Sequence, residues 1–207
     1  MNIDDIRKNV SSSLMRSGGA NFETHVLHEE KNGNLRFSPT IQLSLFTVLF
    51  SAVPFGFIIY AIYQYLKTGS IALIIENIVF SFVIIIFFGV AFKMLYDYFK
   101  PNVFNIKRNV FQKGYKTTPS RLKGNTVKFS DIVAIQILGE TVINKEENTS
   151  FNSFELNLVL INKRRIHIID HNNLEGILDD AERISQLLNI PIWHKKSSED
   201  SISINFD

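Results

Sequence analysis

The histidines and their polar neighbours are the first candidates for metal ligands. The chain has five histidines, and the spacings His25-x-x-His28 and His167-x-x-x-His171 both occur in metal sites. Side chains three positions apart on a strand point to opposite faces, which disfavours chelation by the first pair. The second pair, with Asp170, lies at a predicted strand end and turn, where a site could form. Histidines at strand ends are ordinarily structural or solvated, so we predict no bound metal and no cofactor.

Clustered cations are the second set of candidate residues. Lys163, Arg164 and Arg165 occupy a predicted hairpin tip that could hold phosphate or an acidic partner, although solvated turns are often basic. From Tyr98 to Ser130 the chain has eight lysines and arginines and no acid, whereas from Asp131 onward it has thirteen acids and seven bases. A basic stretch beside a membrane is attracted to anionic headgroups, by about 1 kcal/mol per charge. The predicted lipid-binding or partner-binding residues are Lys100, Lys107, Arg108, Lys113, Lys116, Lys163, Arg164 and Arg165.

Catalytic motifs are missing from the sequence. The chain has no cysteine, which excludes a disulfide framework, a zinc–thiolate or iron–sulfur site and a cysteine nucleophile. It contains no G-x-S-x-G, no Walker loop and no G-x-G-x-x-G. It also lacks a nucleic-acid recognition motif. We therefore predict a protein that is not an enzyme and does not bind nucleic acid.

Two long apolar segments must position these residues. Residues 41–66 contain no charge, and a helix of that length spans about 39 Å, more than the ~30 Å hydrocarbon layer. Residues 71–96 follow after the short connection 67–70, so the two helices are predicted to form a transmembrane hairpin within residues 39–99. Buried helices of a soluble protein are the alternative, but such helices usually have a polar face, which these lack.

Glu76 is the one acid near the predicted hydrocarbon. A carboxylate within a membrane is a functional hypothesis by default. Glu76 lies about two helical turns from Gly69, however, and can sit at the outer interface, which is the interpretation we favour.

Lysine and arginine near the helix ends predict the orientation. The connecting turn contains Lys67 alone, and Lys31 and Arg36 precede the first helix. Five further cations follow the second helix within about twenty residues: Lys100, Lys107, Arg108, Lys113 and Lys116. By the positive-inside rule, both termini are predicted to be cytoplasmic and the turn external.

Hydrophobic periodicity and turn residues predict an α+β soluble domain over residues 100–193. The predicted elements are a hairpin over 103–116, strands over 126–138, a mobile loop over 139–153, a hairpin over 154–170 and a helix from about Leu174 to Leu188. Trp193 is expected to pack back on the sheet, and residues 194–207 are expected to be a flexible tail. Within the N-terminal segment, residues 1–38, we predict a short helix over 3–16 and a hairpin over 22–37 that could join the same domain.

The soluble segments resemble a known family in layout. The hairpin FNIKRNVFQKGYK, the strand FSDIVAIQIL, and the run ELNLVLINKRRIHIIDH with DDAERISQLLNIPIW after it are similar to bacterial two-helix membrane proteins that carry a pleckstrin-homology-like (PH-like) cytoplasmic domain. The resemblance covers about residues 100–193. It implies an antiparallel sheet or barrel capped by a C-terminal helix, in a multi-pass protein of the bacterial inner membrane. It brings no catalytic motif, and a fold alone does not fix function.

Three functions are consistent with these features. The leading one is a membrane-anchored, non-enzymatic binding or scaffold protein whose PH-like domain engages a protein partner or anionic lipid. An immunity or regulatory protein that neutralises a membrane-acting toxin is the second. A small transporter or enzyme subunit that uses Glu76 is the third.

Overall fold

The chain forms two compact units in the computed structural model, which describes residues 3–70, 78–144 and 148–196. One unit joins the chain up to Thr40 with the chain from Pro101 onward, and the other is Ile41–Lys100. The N-terminal segment thus belongs to the same unit as the later soluble domain. Glu76 lies outside the described residues.

The helices and strands are numbered in chain order. The helices are α1 (Ile3–Asn9), α2 (Ile41–Thr68), α3 (Ile78–Tyr98) and α4 (Leu174–Leu188). The strands are β1 (His25–Glu29), β2 (Leu35–Pro39), β3 (Asn102–Asn105), β4 (Val110–Lys113), β5 (Thr126–Lys128), β6 (Ile132–Asn144), β7 (Thr149–Leu160), β8 (Arg165–His171) and β9 (Ile192–Lys196).

The unit Ile41–Lys100 consists of the two apolar helices α2 and α3. They run antiparallel, because the Ser44 and Tyr98 hydroxyls lie 3.0 Å apart while the Phe55 and Phe88 rings pack edge to face further along. Both helices are long and apolar enough to cross a membrane, and only 17% and 11% of their most apolar windows are buried. Most of their apolar side chains therefore point outward, as a membrane association requires.

The other unit contains two sheets that share one core. The first is antiparallel with the order β1-β2-β3-β4-β5, and the second has the order β8-β7-β6-β9, in which β9 runs parallel to β6. Phe104 and Phe111 of the first sheet, Leu156 of the second and Ile177 of α4 all lie in the same buried cluster. The expected pair of apolar helices with an α+β domain is therefore confirmed at this level of description.

Strands β2 and β3 are neighbours in the sheet although both helices of the other unit lie between them in the chain. Leu35 pairs with Phe104 and Arg36 with Val103. The hairpin predicted over residues 22–37 is present as β1 and β2, and this pairing attaches it to the sheet.

The predicted hairpins are present, but the connection between them differs. Asn109 closes the β3–β4 turn in the left-handed conformation, with φ of +52°. Residues 126–138 are interrupted by a 3₁₀ turn at Phe129–Asp131, so that β5 and β6 belong to different sheets. The mobile loop over residues 139–153 was a wrong prediction, because β6 and β7 pair out to Asn144 and Thr149. Its polar composition was misleading because two of its side chains, Glu140 and Ser153, accept hydrogen bonds from the N-terminal segment.

Helix α4 has the predicted bounds because its ends are capped locally. The Asn173 side chain accepts a hydrogen bond from the Gly176 amide at the start, and Asn189 adopts the left-handed conformation at the end. Ile177, Ala181 and Ile184 form its buried stripe against the sheets.

Trp193 packs on the sheet, as predicted, and it does so from within a strand. It lies in β9 and is buried against Ile6 of α1 together with Ala134 and Val159. Because β9 continues through Lys196, residues 194–196 do not belong to the predicted flexible tail, and the rest of that prediction, residues 197–207, lies outside the described part of the chain.

Two adjacent glycines provide a test of how tightly the N-terminal segment fits. A Cβ at Gly19 would lie 2.1 Å from the Ser153 hydroxyl oxygen, whereas a Cβ at Gly18 would meet nothing within 4 Å. Both have positive φ, at +26° and +85°. We expect Gly19→Ala to lower the free energy of unfolding by about 2–3 kcal/mol and Gly18→Ala by about 1 kcal/mol.

The measurement is urea unfolding of the detergent-solubilised full chain, followed by the emission of Trp193, the one tryptophan in the sequence. Equal losses for the two variants would contradict the tight contact at Gly19.

Candidate functional site

One end of the five-stranded sheet is where the chain passes to and from the apolar helices. We call this the junction end and define it by Thr40, which precedes α2, and Pro101, which follows α3. The Thr40 amide donates to the Thr24 carbonyl (3.1 Å) and the Gly114 amide donates to the Pro101 carbonyl (2.7 Å). These hydrogen bonds hold the segment before α2 and the segment after α3 at the same end of the sheet. Several titratable side chains also meet there.

Lys113 is the central cation of this end. It lies opposite Asn102 at the end of β4. Its ammonium group donates to His167 Nδ1 (3.1 Å), to the His167 carbonyl (3.0 Å) and to the Ile168 carbonyl (2.6 Å). Lys113 therefore forms hydrogen bonds that link the two sheets. Because its ammonium group is used in this way, we no longer assign Lys113 to the predicted lipid-binding residues.

A β-bulge in β8 decides which of its polar residues share a face. The pairing places His167 opposite Asn157 and Asp170 opposite Glu155, with a register shift between Leu156 and Asn157. Without this shift, residues three apart such as His167 and Asp170 would point to opposite faces. With it, His167 Nε2 and Asp170 Oδ1 lie 3.0 Å apart.

The same bulge separates the two histidines of the H-x-x-x-H spacing. His171 pairs with Phe154, which faces the core, whereas His167 pairs with Asn157 on the other face of β7. His171 is held by its own contacts, because Nε2 lies 3.0 Å from Glu23 Oε1 and Nδ1 accepts from the Asn173 amide. These two histidines therefore do not form a common site.

Glu155, His167 and Asp170 do come together, with ligand-type atoms all within 4.8 Å of one another. A metal would need a lone pair on His167. The Nδ1 lone pair accepts from the Lys113 ammonium, so Nε2 carries the hydrogen and donates it to Asp170. Burial lowers the pKa of His167, and Lys113 lowers it further against the opposing effect of Asp170. The cluster is thus a hydrogen-bonded network with a neutral imidazole at its centre.

Glu155 connects this network to the N-terminal segment. Its carboxylate is buried and accepts from the backbone amides of Met15 (2.9 Å) and Arg16 (2.8 Å) and from Asn157 Nδ2 (2.5 Å). Nearby, the Ser153 hydroxyl accepts from the Ala20 amide at 3.0 Å. Polar side chains of β7 therefore bind the main chain of residues 15–20. The alternation ELNLVL predicts that these side chains face solvent, and no local signal marks them as covered.

His25 completes the group at the junction end. The Thr24 hydroxyl donates its hydrogen to the Asp170 carbonyl, so the 3.0 Å contact between Thr24 Oγ1 and His25 requires a hydrogen on His25 Nδ1. Burial lowers the pKa of His25 to about 4, with Lys113 and His167 acting in the same direction. His25 is accordingly neutral at physiological pH.

Two more predicted binding residues also have internal roles. Arg164 donates to the carbonyls of Ser120, Arg121 and Gly124 and so shapes the β4–β5 loop, residues 114–125. Arg165 donates to the Ser13 carbonyl at 2.7 Å and so holds the N-terminal segment.

The other predicted cations are more accessible. Lys100 and Lys163 form ion pairs with Asp97 and Asp5. Arg108 donates to the Thr117 carbonyl and lines an open cavity of about 520 Å³. Lys107 and Lys116 are exposed. The eight residues therefore do not form one surface. The β4–β5 loop adds a cation that the sequence did not single out, the exposed Lys123.

A scan against protein-family models, a search of curated proteins and a search of solved structures found no match to this chain.

Replacing the Glu155 carboxylate tests its role as the anchor of the N-terminal segment. Glu155→Gln keeps the shape but turns an amide group towards backbone donors. We expect a loss of about 2 kcal/mol in the free energy of unfolding and faster proteolysis within residues 11–24, because hydrogen bonds to a charged acceptor are lost. The matched control, Glu182→Gln on the exposed face of α4, should change neither. A silent Glu155→Gln would contradict the anchor.

The pKa of His25 predicts a pH dependence with a definite sign. Because the pKa of His25 is about 4 in the folded chain and the ordinary value is 6.5, the unfolded chain binds more protons between these values. Stability is therefore lost as pH falls from about 6.5 to about 4, by at most about 1.4 kcal/mol per pH unit. His25→Gln should flatten this slope, as measured by urea unfolding at several pH values.

The control for this experiment is His28→Gln, on the exposed side of the same strand. Asp180, whose pKa burial raises to about 7, contributes a slope of the opposite sign, and this contribution is common to all three proteins. An unchanged slope in His25→Gln would refute the assignment.

Proposed function

We propose that this protein is a membrane-anchored, non-enzymatic binding module, in which α2 and α3 span the membrane and the α+β unit presents a binding surface. The proposal depends on the outward-facing apolar surface of α2 and α3. In the sequence, these helices lie between β2 and β3, which are neighbouring strands of one sheet. Leu49, Ile85 and Phe92 are each at least 67% exposed. Lipid is the environment in which such a surface has a low free energy.

The pairing of β2 with β3 supports a hairpin topology. These strands precede α2 and follow α3, and they are hydrogen-bonded neighbours in one sheet. If α2 and α3 cross a bilayer, the chain must therefore leave and return on the same side. The excess of lysine and arginine beside these strands favours the cytoplasmic side, and in a bacterial cell this corresponds to the inner membrane.

The architecture of the soluble unit supports a PH-like binding domain. Two sheets share a core, and an amphipathic helix, α4, follows the last antiparallel hairpin. Within residues 100–193, antiparallel hairpins followed by a helix agree with the resemblance, whereas β1, β2 and the parallel strand β9 are additional to it. The unit would engage a protein partner or anionic lipid at the cytoplasmic face.

Internal use of the polar cluster supports a non-enzymatic role. Lys113, His167 and Asp170 satisfy one another and nearby carbonyls. A general base or nucleophile must instead reach a substrate. These three side chains therefore stabilise the fold at the junction end.

Cysteine labelling tests the anchor and its orientation, because the natural chain has no cysteine. In a bacterial host, we expect Ser70→Cys in the turn after α2 to react with a membrane-impermeant maleimide in intact cells. Lys31→Cys, in the exposed β1–β2 turn, should react only after permeabilisation. The full chain should stay in the membrane pellet after an alkaline wash.

The reverse labelling pattern would contradict the cytoplasmic placement. Release of the chain by the alkaline wash would contradict the membrane anchor itself.

A further inference from the structure

We propose that the groove between β1 and α4 binds a basic, extended peptide segment of a protein partner, which pairs with the edge of β1 and places a lysine or arginine beside Asp180. The groove has a volume of about 340 Å³, and we call it the acidic groove because Glu23, Asp179, Asp180 and Glu182 line it. These residues all belong to one compact unit. The inference rests on the binding role proposed for that unit and names its partner.

The acidic groove differs in charge from the chain as a whole. Four acids line it, and among the described lining residues Arg183 is the one base, whereas the whole chain has a net charge of +2. Arg183 is already engaged, because its guanidinium donates to the Leu27 carbonyl at 2.7 Å. A basic segment therefore finds complementary charge here, and a general attraction to the protein cannot account for its binding.

Asp180 is the residue that points to a bound cation. It lines the groove and is only 7% exposed, yet within the described residues its carboxylate has no hydrogen-bond or ion-pair partner. Buried carboxylates normally require donors, as the two amides bound to Glu155 illustrate. A lysine or arginine from another molecule would supply the donors that Asp180 lacks.

The electrostatics of Asp180 agree with this geometry. Burial raises the pKa of Asp180 to about 7; Arg183 opposes this shift, whereas Glu23 and Asp179 add to it. The charged carboxylate is thus poorly compensated in the chain alone, and a cation beside it would lower the pKa again.

A peptide with several cations fits the groove better than a single metal ion does. Within the described residues, the histidine and carboxylate side chains close enough to share a metal are Glu155, His167 and Asp170, which lie outside the groove. The acids of the groove are therefore too widely spaced to form one coordination shell.

The backbone of β1 provides the second part of the binding site. This strand is at the edge of the five-stranded sheet. On the side of β2, the Thr24 carbonyl accepts from the Thr40 amide, and the Glu30 amide donates to the Asn34 carbonyl. Because these directions alternate along an antiparallel strand, the backbone groups of the odd-numbered residues in β1 point away from β2.

The outward-pointing groups belong to His25, Leu27 and Glu29. The bond from Arg183 to the Leu27 carbonyl agrees with this direction. An extended segment can pair with such an edge through its own backbone, while alternate side chains enter the neighbouring groove. Main-chain pairing and the unpaired Asp180 carboxylate together favour a basic peptide over a small cation.

Fluorescence anisotropy of a labelled peptide tests the inference. The probe alternates valine and lysine, so that all its lysines share one face when it is extended. We expect it to bind the detergent-solubilised full chain, whereas a peptide with glutamate in place of lysine should not bind. The lysine peptide with N-methyl groups on alternate backbone amides should bind more weakly, because it cannot complete the pairing with β1.

Asp180→Asn keeps the side-chain shape and removes the charge. We expect it to weaken binding of the lysine peptide by about 10-fold or more, because a hydrogen bond between charged groups is lost. The matched control is Glu175→Gln, an exposed acid of α4 that does not line the groove, and it should leave binding unchanged. Urea unfolding should show no loss of stability in Asp180→Asn, whereas a purely structural role predicts a loss.

Amide hydrogen exchange locates the bound peptide. We expect the Leu27 and Glu29 amides to exchange more slowly in the complex, because they gain acceptors. Unchanged exchange in β1 would overturn the pairing with this edge.

The remaining outcomes separate this inference from the proposed function. Equal binding of the lysine and glutamate peptides, or full binding by Asp180→Asn, overturns the acidic groove as the site. Spermidine that binds as tightly as the peptide overturns the assignment to a peptide. A chain that stays in the membrane pellet but binds no basic peptide overturns this inference and leaves the anchored module intact.

Discussion

The pairing of β2 with β3 is the constraint on which the rest of the structure depends. These strands flank the 60 residues Ile41–Lys100, and their backbone hydrogen bonds hold the two ends of that insertion side by side. The sheet therefore cannot form unless the helices turn back on themselves. Conversely, a hairpin of apolar helices brings β2 and β3 close together. This removes much of the loop-closure entropy cost of pairing two strands that are far apart in the sequence.

The N-terminal segment has a structural role that its sequence does not suggest. It crosses the face of β7 that is opposite to the core, and buried polar side chains hold its backbone. Glu155 binds two successive amides, and Arg165 binds the Ser13 carbonyl. A buried carboxylate is stable only when its charge is compensated by donors, and here the main chain supplies them. The segment consequently covers the polar face of β7.

The basic stretch after α3 illustrates the difference between proximity in sequence and proximity in space. Lys113 serves two carbonyls and an imidazole inside the fold, Arg164 shapes a loop, and Lys107 lies at the end of its hairpin away from Pro101. Cations of the soluble unit can thus serve as internal hydrogen-bond donors to backbone carbonyls. The contacts of each side chain reveal its role, and the charge count does not.

Local physics determined which elements form. Continuous apolar residues define α2 and α3, alternation with Asn109 defines the β3–β4 hairpin, and Asn173 and Asn189 cap α4; each depends on residues a few positions apart. Three features were decided only by tertiary structure: the extension of β6 to Asn144 and of β7 from Thr149, the bulge that brings His167 beside Asp170, and the cover over Glu155. All three depend on contacts between segments distant in the chain. Alternation alone cannot predict them, since a polar residue facing water and one facing another segment have the same pattern.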